Sequence, residues 1–137
     1  MYLVDTNIWL ERLLDQKKSE EVGYFLAHVA SEYLFITDFA LHSIGVVLSR
    51  LNKSEVLLQF VHDVFVQGAV SLIHLKPKDM KRIIEVMQKF ALDFDDAYQY
   101  VVAEEYGLTI VSFDSDFDRT DKGCKTPAQL GSGGRTK

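Results

Sequence analysis

Aspartates directly follow the short apolar runs of this sequence. Asp5 comes after "YLV", Asp38 after "LFIT", and Asp114 after "LTIVSF", with Asp116 two residues later. Carboxylates that crowd together repel one another and are costly to desolvate, and a hard divalent cation relieves both costs. Three more acids open the segment before the last apolar run: Asp93, Asp95 and Asp96.

Oxygen ligands of this kind suit Mg²⁺, which is commonly held by a few carboxylates together with substrate phosphate oxygens. Such a cation lowers the pKa of bound water and stabilises charge on a phosphodiester during in-line attack. The acids therefore indicate metal-dependent phosphodiester hydrolysis, provided that the fold brings them together.

The elements that must position these acids alternate between short β-rich runs and longer helical ones. Strands are predicted over 2–4, 34–37, 69–75 and 108–112, and helices over 7–14, 19–31, 39–51, 54–67, 77–90 and 96–106. Strands separated by helices predict an α/β fold with a parallel sheet covered on both faces. Because ligands of such sheets bind outside the carboxyl ends of the strands, the acids should share one edge.

Each acid also has a local interpretation as a helix cap. Asp5, Thr6 and Asn7 are all good N-cap residues for the helix that follows them, and Asp38 can cap the next one. Asp96 with Gln99 has the form of a capping box. Capping would explain any one of these residues taken alone, but it does not explain why so many fall at the same sheet edge.

Length and composition describe one ordinary globular domain. The chain has 137 residues, 47% of them hydrophobic, and a net charge of −5, which argues against a bulk basic surface for nucleic acid. No basic leader precedes "YLV" and no apolar run approaches a membrane span, so we expect a cytoplasmic protein without membrane association. The single cysteine, Cys124, is expected to be a loop thiol rather than a nucleophile. Residues 131–137, "GSGGRTK", are expected to be a disordered tail or an expression remnant.

Two stretches give the sequence a family resemblance. The opening strand with "VDTN" and the block "DDAYQYVVAEEYGLTIVSFDSDF" resemble a PIN domain, most closely the VapC-type toxins of prokaryotic toxin–antitoxin pairs. The resemblance covers residues 1–130 and implies a single three-layer α/β/α domain around a central parallel sheet. It further implies a ribonuclease that depends on Mg²⁺ or Mn²⁺, an RNA substrate, an antitoxin partner and a homodimer.

The resemblance also assigns roles to individual residues. Asp5 resembles the first acid of the family, with Thr6 or Asn7 as its polar supporting neighbour. Asp96, before Ala97, resembles the acid of the family's "DA" helix start, and Asp114 resembles the acid after the last core strand. These three are the expected metal ligands. All three are also expected to be catalytic, together with Asp116 as an accessory acid.

One position departs from the family pattern. The family usually places a glutamate about six residues past a Ser or Thr that ends the second strand, and here that position is Ser43. His42 lies beside it and Asp38 lies about one turn earlier, so either is a candidate substitute ligand.

This departure keeps a rival function open, in which a catalytically weakened PIN-like module binds RNA or protein without cleaving it. A phospho-aspartyl enzyme or receiver domain is less favoured. Asp5 lacks the paired DxD spacing of such phosphatases, and no lysine follows a late strand as a receiver requires.

Overall fold

The computed structural model describes residues 1–134. Four strands and seven α-helices follow one another along the chain: β1 (Tyr2–Val4), α1 (Thr6–Leu13), α2 (Ser19–His28), β2 (Leu34–Thr37), α3 (Asp38–Arg50), α4 (Ser54–Val61), β3 (Ser71–Ile73), α5 (Met80–Phe90), α6 (Phe94–Tyr106), β4 (Thr109–Val111) and α7 (Pro127–Gly134). Short 3₁₀ segments lie at Ser31–Tyr33, Pro77–Asp79 and Ser115–Arg119, and a π-helical segment lies at His62–Gln67.

The four strands form one parallel sheet in the order β3-β2-β1-β4. Neighbouring residues of a strand belong to different cores, because side chains alternate between the two faces of a sheet. Leu3 and Ile110 pack on one face, whereas Val4 and Val111 pack on the other. This burial on both sides explains why the strands are continuously apolar in sequence.

Helices cover both faces of the sheet. The core on the Leu3 side is built with α5 and α6, and the core on the Val4 side with α1, α2, α3 and α4. The predicted α/β/α arrangement around a central parallel sheet is therefore confirmed. The strand order of the sheet matters for the site. The chain adds β2 and β3 on one side of β1 and then returns to add β4 on the other side of β1.

Some element boundaries differ from the sequence prediction. The strands over 69–75 and 108–112 shorten to Ser71–Ile73 and Thr109–Val111, which are the residues that pair with a neighbouring strand. The helix over 54–67 changes at His62 into a wider turn, in which the amide of Gly68 donates to the carbonyl of Asp63. Such i→i+5 bonds define a π-helix, and apolar periodicity does not distinguish it from an α-helix.

The C-terminal segment joins the Val4 side of the molecule. Helix α7 packs against α2, and the amide of Ala128 donates to the Glu21 carboxylate. This helix extends to Gly134, so it includes the first part of the segment expected as a tail, and residues 135–137 lie outside the described residues. Among the described helices, none has both the length and the apolar character required to cross a bilayer.

Candidate active site

A pocket of about 310 Å³ opens at the carboxyl edge of the sheet. Asp5 follows β1 and Asp114 follows β4, and the pocket lies between these two strand ends. The strand order of the sheet reverses between β1 and β4, and open α/β sheets bind ligands at such a point. Nine residues line it: Asp5, Thr6, Asn7, Leu10, Phe39, Ser43, Asp95, Asp96 and Asp114.

Asp5 is the most deeply placed acid of this pocket, with 7% of its surface exposed. Its Oδ1 accepts hydrogen bonds from the side-chain amide of Gln99 (2.9 Å) and the backbone amide of Thr6 (2.9 Å). Its Oδ2 accepts the hydroxyl of Ser112 at 2.8 Å. Burial raises the pKa of Asp5 above its ordinary value, although these hydrogen bonds oppose the shift. The contact with Thr6 makes Asp5 the N-cap of α1, so its capping and pocket-lining roles coexist.

Ser112 and Asn7 connect Asp5 to the end of β4. The Ser112 hydroxyl accepts from the Asn7 side-chain amide (3.1 Å) and from the backbone amide of Asp114 (3.0 Å). Asn7 in turn accepts the amide of Phe113 through its Oδ1 at 3.1 Å. The supporting role expected of Asn7 therefore has a physical basis, because Asn7 fixes the loop that carries Asp114.

A second set of contacts ties Asp5 to the end of β2. The buried Thr37 hydroxyl donates to Gln99 Oε1 at 2.8 Å. Thr37 Oγ1 also accepts a hydrogen bond from the backbone amide of Ala40, which makes Thr37 the N-cap of α3. Gln99 then donates to Asp5. Sequence reasoning missed Thr37, Gln99 and Ser112 as site residues. The sequence signal that could have identified Thr37 is a hydroxyl residue at the end of an apolar strand, since Thr37 is the last residue of β2.

Two capping interpretations are wrong. Asp93, not Asp96, caps α6, since the Asp93 carboxylate accepts the Asp96 amide at 2.9 Å. Asp38 is the first residue of α3 rather than its N-cap, because Thr37 occupies that position. Asp96 therefore lies inside the first turn of α6, with its side chain available to the pocket.

Charge is concentrated around Asp96. Partial burial and the neighbouring carboxylates of Asp114, Asp93 and Asp5 raise the pKa of Asp96 to about 8. Oxygens of Asp96, Asp114 and Asp116 all lie within 4.8 Å of one another. The predicted set of Asp5, Asp96 and Asp114 lines a single pocket, whereas this closest group of carboxylates contains Asp116 in place of Asp5.

Asp116 is held in place by its neighbours. Its backbone amide donates to Asp114 Oδ1 (2.9 Å), and its carboxylate accepts Arg119 Nη1 at 3.1 Å. Arg119 also donates to the backbone carbonyls of Phe90 and Ala91, at the end of α5. The loop after β4 is thereby fixed to the helix layer on the Leu3 side of the sheet.

The three candidates for the missing glutamate position separate in space. Ser43 lines the acidic pocket, whereas His42 and Asp38 line a neighbouring pocket. Asp38 accepts the Tyr98 hydroxyl (2.9 Å) and the Phe39 amide (2.7 Å) on its Oδ1. Asp95, to which the sequence assigned no individual role, lines both pockets and adds a fourth carboxylate to the acidic one.

Cys124 lies beside this loop without the features of a nucleophile. Its Sγ contacts the carbonyl oxygens of Ser112 (3.8 Å) and Asp114 (3.7 Å). Burial and nearby carboxylates raise the pKa of the thiol to about 11, so it stays protonated at neutral pH.

Comparisons with solved structures find the same fold in proteins of low sequence identity. A toxin–antitoxin complex from Klebsiella pneumoniae is 18% identical with a TM-score of 0.75, covering 93% of this chain and 98% of that one. Mycobacterium tuberculosis VapC20, described as a sarcin–ricin loop cleaving toxin, is 16% identical with a TM-score of 0.74, covering 86% and 93%. FitAcB from Neisseria gonorrhoeae is 20% identical with a TM-score of 0.72, covering 93% and 98%.

A comparison with curated proteins gives no match. The model of one protein family, the PIN domain, matches residues 2–123, nearly the whole described chain. That match includes every acid of the pocket and the elements β1, α6 and β4 that position them. The chain belongs to the PIN domain family.

Proposed function

We propose that this protein is a metal-dependent endoribonuclease and the toxin of a toxin–antitoxin pair. The observation that carries the proposal is the group of Asp96, Asp114 and Asp116, whose carboxylate oxygens lie within 4.8 Å of one another beside buried Asp5. Membership of the PIN domain family and the fold shared with toxin structures support the same function.

The residues present fit a divalent cation such as Mg²⁺ or Mn²⁺. All the donors are hard oxygens, and a cation would offset both causes of the raised pKa of Asp96, which are burial first and then the neighbouring carboxylates. Thr6 Oγ1, from a residue that lines the pocket, is buried and has no hydrogen-bond partner among residues 1–134, so a group bound there can supply one.

Each acid has a distinct part in this proposal. Asp96, Asp114 and Asp116 would hold the cation, and Arg119 would keep the Asp116 carboxylate facing it. A cation bound there supplies an activated water and neutralises charge on the scissile phosphate. Gln99 and Ser112 donate hydrogen bonds to the two oxygens of Asp5, so this carboxyl group is held rigidly at the same pocket and positions the groups around it.

The comparison with solved structures also supports a proposal for the partner of this protein. The Klebsiella pneumoniae structure is a toxin–antitoxin complex, which supports a protein antitoxin as partner of this chain. A homodimer and an RNA substrate are further expectations that rest on the family resemblance. Since the net charge is −5, RNA would be held by the bound cation and by local basic residues rather than by a bulk basic surface.

The proposal is tested with Asp114→Asn, which keeps the size of the side chain but removes its charge. We expect Mn²⁺-dependent cleavage of a single-stranded RNA oligonucleotide to fall at least about 100-fold, because loss of a carboxylate ligand weakens both cation binding and orientation. The matched control is Asp121→Asn, whose side chain is 77% exposed in the same loop region and which should cleave normally.

The assay has two controls: a DNA oligonucleotide of the same sequence as substrate, and the RNA substrate in the presence of a chelator. Full activity of Asp114→Asn, or cleavage that survives the chelator, would contradict the assignment. If the unsubstituted protein binds no Mn²⁺ at millimolar concentration and cleaves no RNA, the rival function, a binding module without cleavage, is favoured. The presence of Ser43 in place of a glutamate motivates that rival.

A further inference from the structure

A second pocket of about 380 Å³ lies directly beside the acidic one. Six residues line it: Asp38, Phe39, His42, Phe94, Asp95 and Tyr98. Phe39 and Asp95 line both pockets, so the two are continuous. Its volume falls in the range of about 300–1,000 Å³ that is typical of small-ligand pockets.

Aromatic rings form much of its surface. The rings of Phe39 and Tyr98 have centroids 5.8 Å apart, and those of Phe94 and Tyr98 have centroids 6.3 Å apart. Phe94 remains 40% exposed although it is the first residue of α6, where a polar residue would cost less. An exposed ring next to two others provides a stacking surface for a flat ligand.

Asp38 supplies a fixed hydrogen-bond acceptor in this aromatic pocket. The Tyr98 hydroxyl and the Phe39 amide both donate to Asp38 Oδ1, which fixes the orientation of the carboxylate. Its Oδ2 accepts no hydrogen bond from the described residues. A ligand with N–H groups on the edge of a flat ring can therefore stack on the aromatic side chains and donate to Asp38.

The charges favour a neutral ring over an ion. Asp38 and Asp95 would repel a phosphate group. A cation is also disfavoured, because, among the described residues, the group of carboxylates close enough together to hold one contains neither Asp38 nor Asp95. A nucleobase is neutral, flat and edged with N–H groups, and single-stranded RNA commonly presents unstacked bases to aromatic side chains.

We propose that this aromatic pocket binds one unpaired nucleobase of the RNA substrate, next to the phosphodiester that lies in the acidic pocket. Bases that present N–H donors at their edge fit the free Asp38 Oδ2, and guanine offers two adjacent donors, N1–H and the N2 amino group, that can share this oxygen. The inference rests on the proposed ribonuclease function, and it assigns the substrate contact that selects where the chain is cut.

The first experiment measures binding without cleavage. Each nucleoside 5′-monophosphate and ribose 5-phosphate are titrated into the chelator-treated protein while backbone amide signals are followed by NMR. We expect GMP to shift the amides of Phe39, His42 and Phe94, and ribose 5-phosphate to leave them unchanged. Phe94→Ala should weaken GMP binding about tenfold, as expected for one lost stacking contact, and Phe94→Tyr should retain it.

Tyr106→Ala is the matched control, since Tyr106 is a 47% exposed aromatic residue at the other end of the same helix, about 18 Å away at 1.5 Å per residue. It should bind GMP like the unsubstituted protein. Thermal unfolding of each variant checks that the fold is intact, and Phe94→Tyr keeps the test valid if Phe94→Ala is unstable.

The second experiment separates this inference from the ribonuclease function. RNA cleavage is compared between an oligonucleotide and the same oligonucleotide with one abasic position, scanned along the chain. Cleavage that requires Asp114 but is unaffected by Phe94→Ala and by every abasic position would contradict base binding in the aromatic pocket. The same result would still support the ribonuclease function. GMP binding that requires Phe94, without RNA cleavage, would support the pocket and contradict the ribonuclease. The amide of the amino acid arginine is titrated as a probe for a protein side chain. Shifts of the backbone amide signals caused by this probe and not by GMP would show that the pocket binds a protein side chain and would contradict the inference.

Discussion

At the scale of single residues, the site is defined by how each carboxylate is stabilised. Asp5 is buried and accepts three hydrogen bonds, whereas Asp96 is half-buried and faces other acids. Burial and the carboxylates of Asp114 and Asp93 raise the pKa of Asp96 to about 8. In the metal-free protein this side chain therefore keeps its proton to a higher pH than an ordinary aspartate, and a bound cation would favour its ionised form.

The raised pKa of Asp96 predicts how stability of the metal-free protein depends on pH. The folded pKa is above the ordinary value of 3.8, so the stabilising contribution is complete below about pH 4 and is lost as the pH rises to about 8. Asp96→Asn cannot ionise and should remove this dependence, leaving the variant more stable than the original chain at pH 8 by about 1 kcal/mol after allowance for solvent screening.

Urea unfolding with chelator at pH 5 and pH 8 measures that difference. Asp121→Asn, in an exposed loop position, is the control and should keep the pH dependence of the unsubstituted protein. Equal pH slopes for Asp96→Asn and the unsubstituted protein would contradict the assigned charge crowding.

At the scale of elements, a chain of hydrogen bonds joins the ends of three strands. It runs from Thr37 at the end of β2, through Gln99 on α6, to Asp5 after β1, and then to Ser112 after β4. All four side chains are buried, so each polar group depends on its partner because water is excluded. The relative positions of the strands and α6 are thus coupled to the geometry of Asp5.

Thr37 tests this coupling, because its hydroxyl both caps α3 and donates to Gln99. Thr37→Val keeps the volume but removes the hydroxyl, and it should lower the free energy of unfolding by about 2 kcal/mol, through the lost cap and the unpaired Gln99. Thr37→Ser retains the hydroxyl and should lose about 1 kcal/mol or less, for the missing methyl group.

Chemical denaturation of both variants gives the two free energies. RNA cleavage should follow the same order if the chain of hydrogen bonds positions Asp5. A Thr37→Val protein as stable and as active as Thr37→Ser would show that the hydroxyl contributes nothing measurable.

At the scale of the whole molecule, cation binding should be visible as added stability. A ligand that binds only the folded state stabilises it by mass action, about 2.7 kcal/mol at a concentration one hundred times the dissociation constant. We expect Mn²⁺ to raise the midpoint of thermal unfolding, and Asp114→Asn to abolish that rise while Asp121→Asn preserves it.

The same thermal measurement distinguishes the two possible ligand sets. If Asp116→Asn loses most of the Mn²⁺ effect and Asp5→Asn keeps it, the cation is held by Asp96, Asp114 and Asp116. The reverse result would favour the set predicted from sequence, in which Asp5 is a ligand. An unfolding midpoint that Mn²⁺ does not change would count against a metal site in this pocket.

The sequence alone predicted the four strands and six of the seven α-helices described, and it predicted that the acids would lie at the carboxyl edge of the sheet. Apolar β-rich runs predicted β1 and β2 with their observed bounds. Gly107 ends α6 with a positive φ of 67°, a conformation that favours glycine. Acids after parallel strands had to meet at one edge, because strand direction fixes where the carboxyl ends lie. These features depend on residues close together along the chain, so local patterns suffice to predict them.

Only the tertiary structure decided which side chains meet there. Gln99 lies 94 residues from Asp5 and Ser112 lies 107 residues from it, and neither pairing leaves a local pattern. The strand order that puts β1 between β2 and β4 creates both contacts. Ser43 and His42 are adjacent in sequence but line neighbouring pockets, because consecutive helix residues point about 100° apart and the fold places a different pocket on each side of α3. Packing between distant segments, rather than local preference, determines the composition of the site.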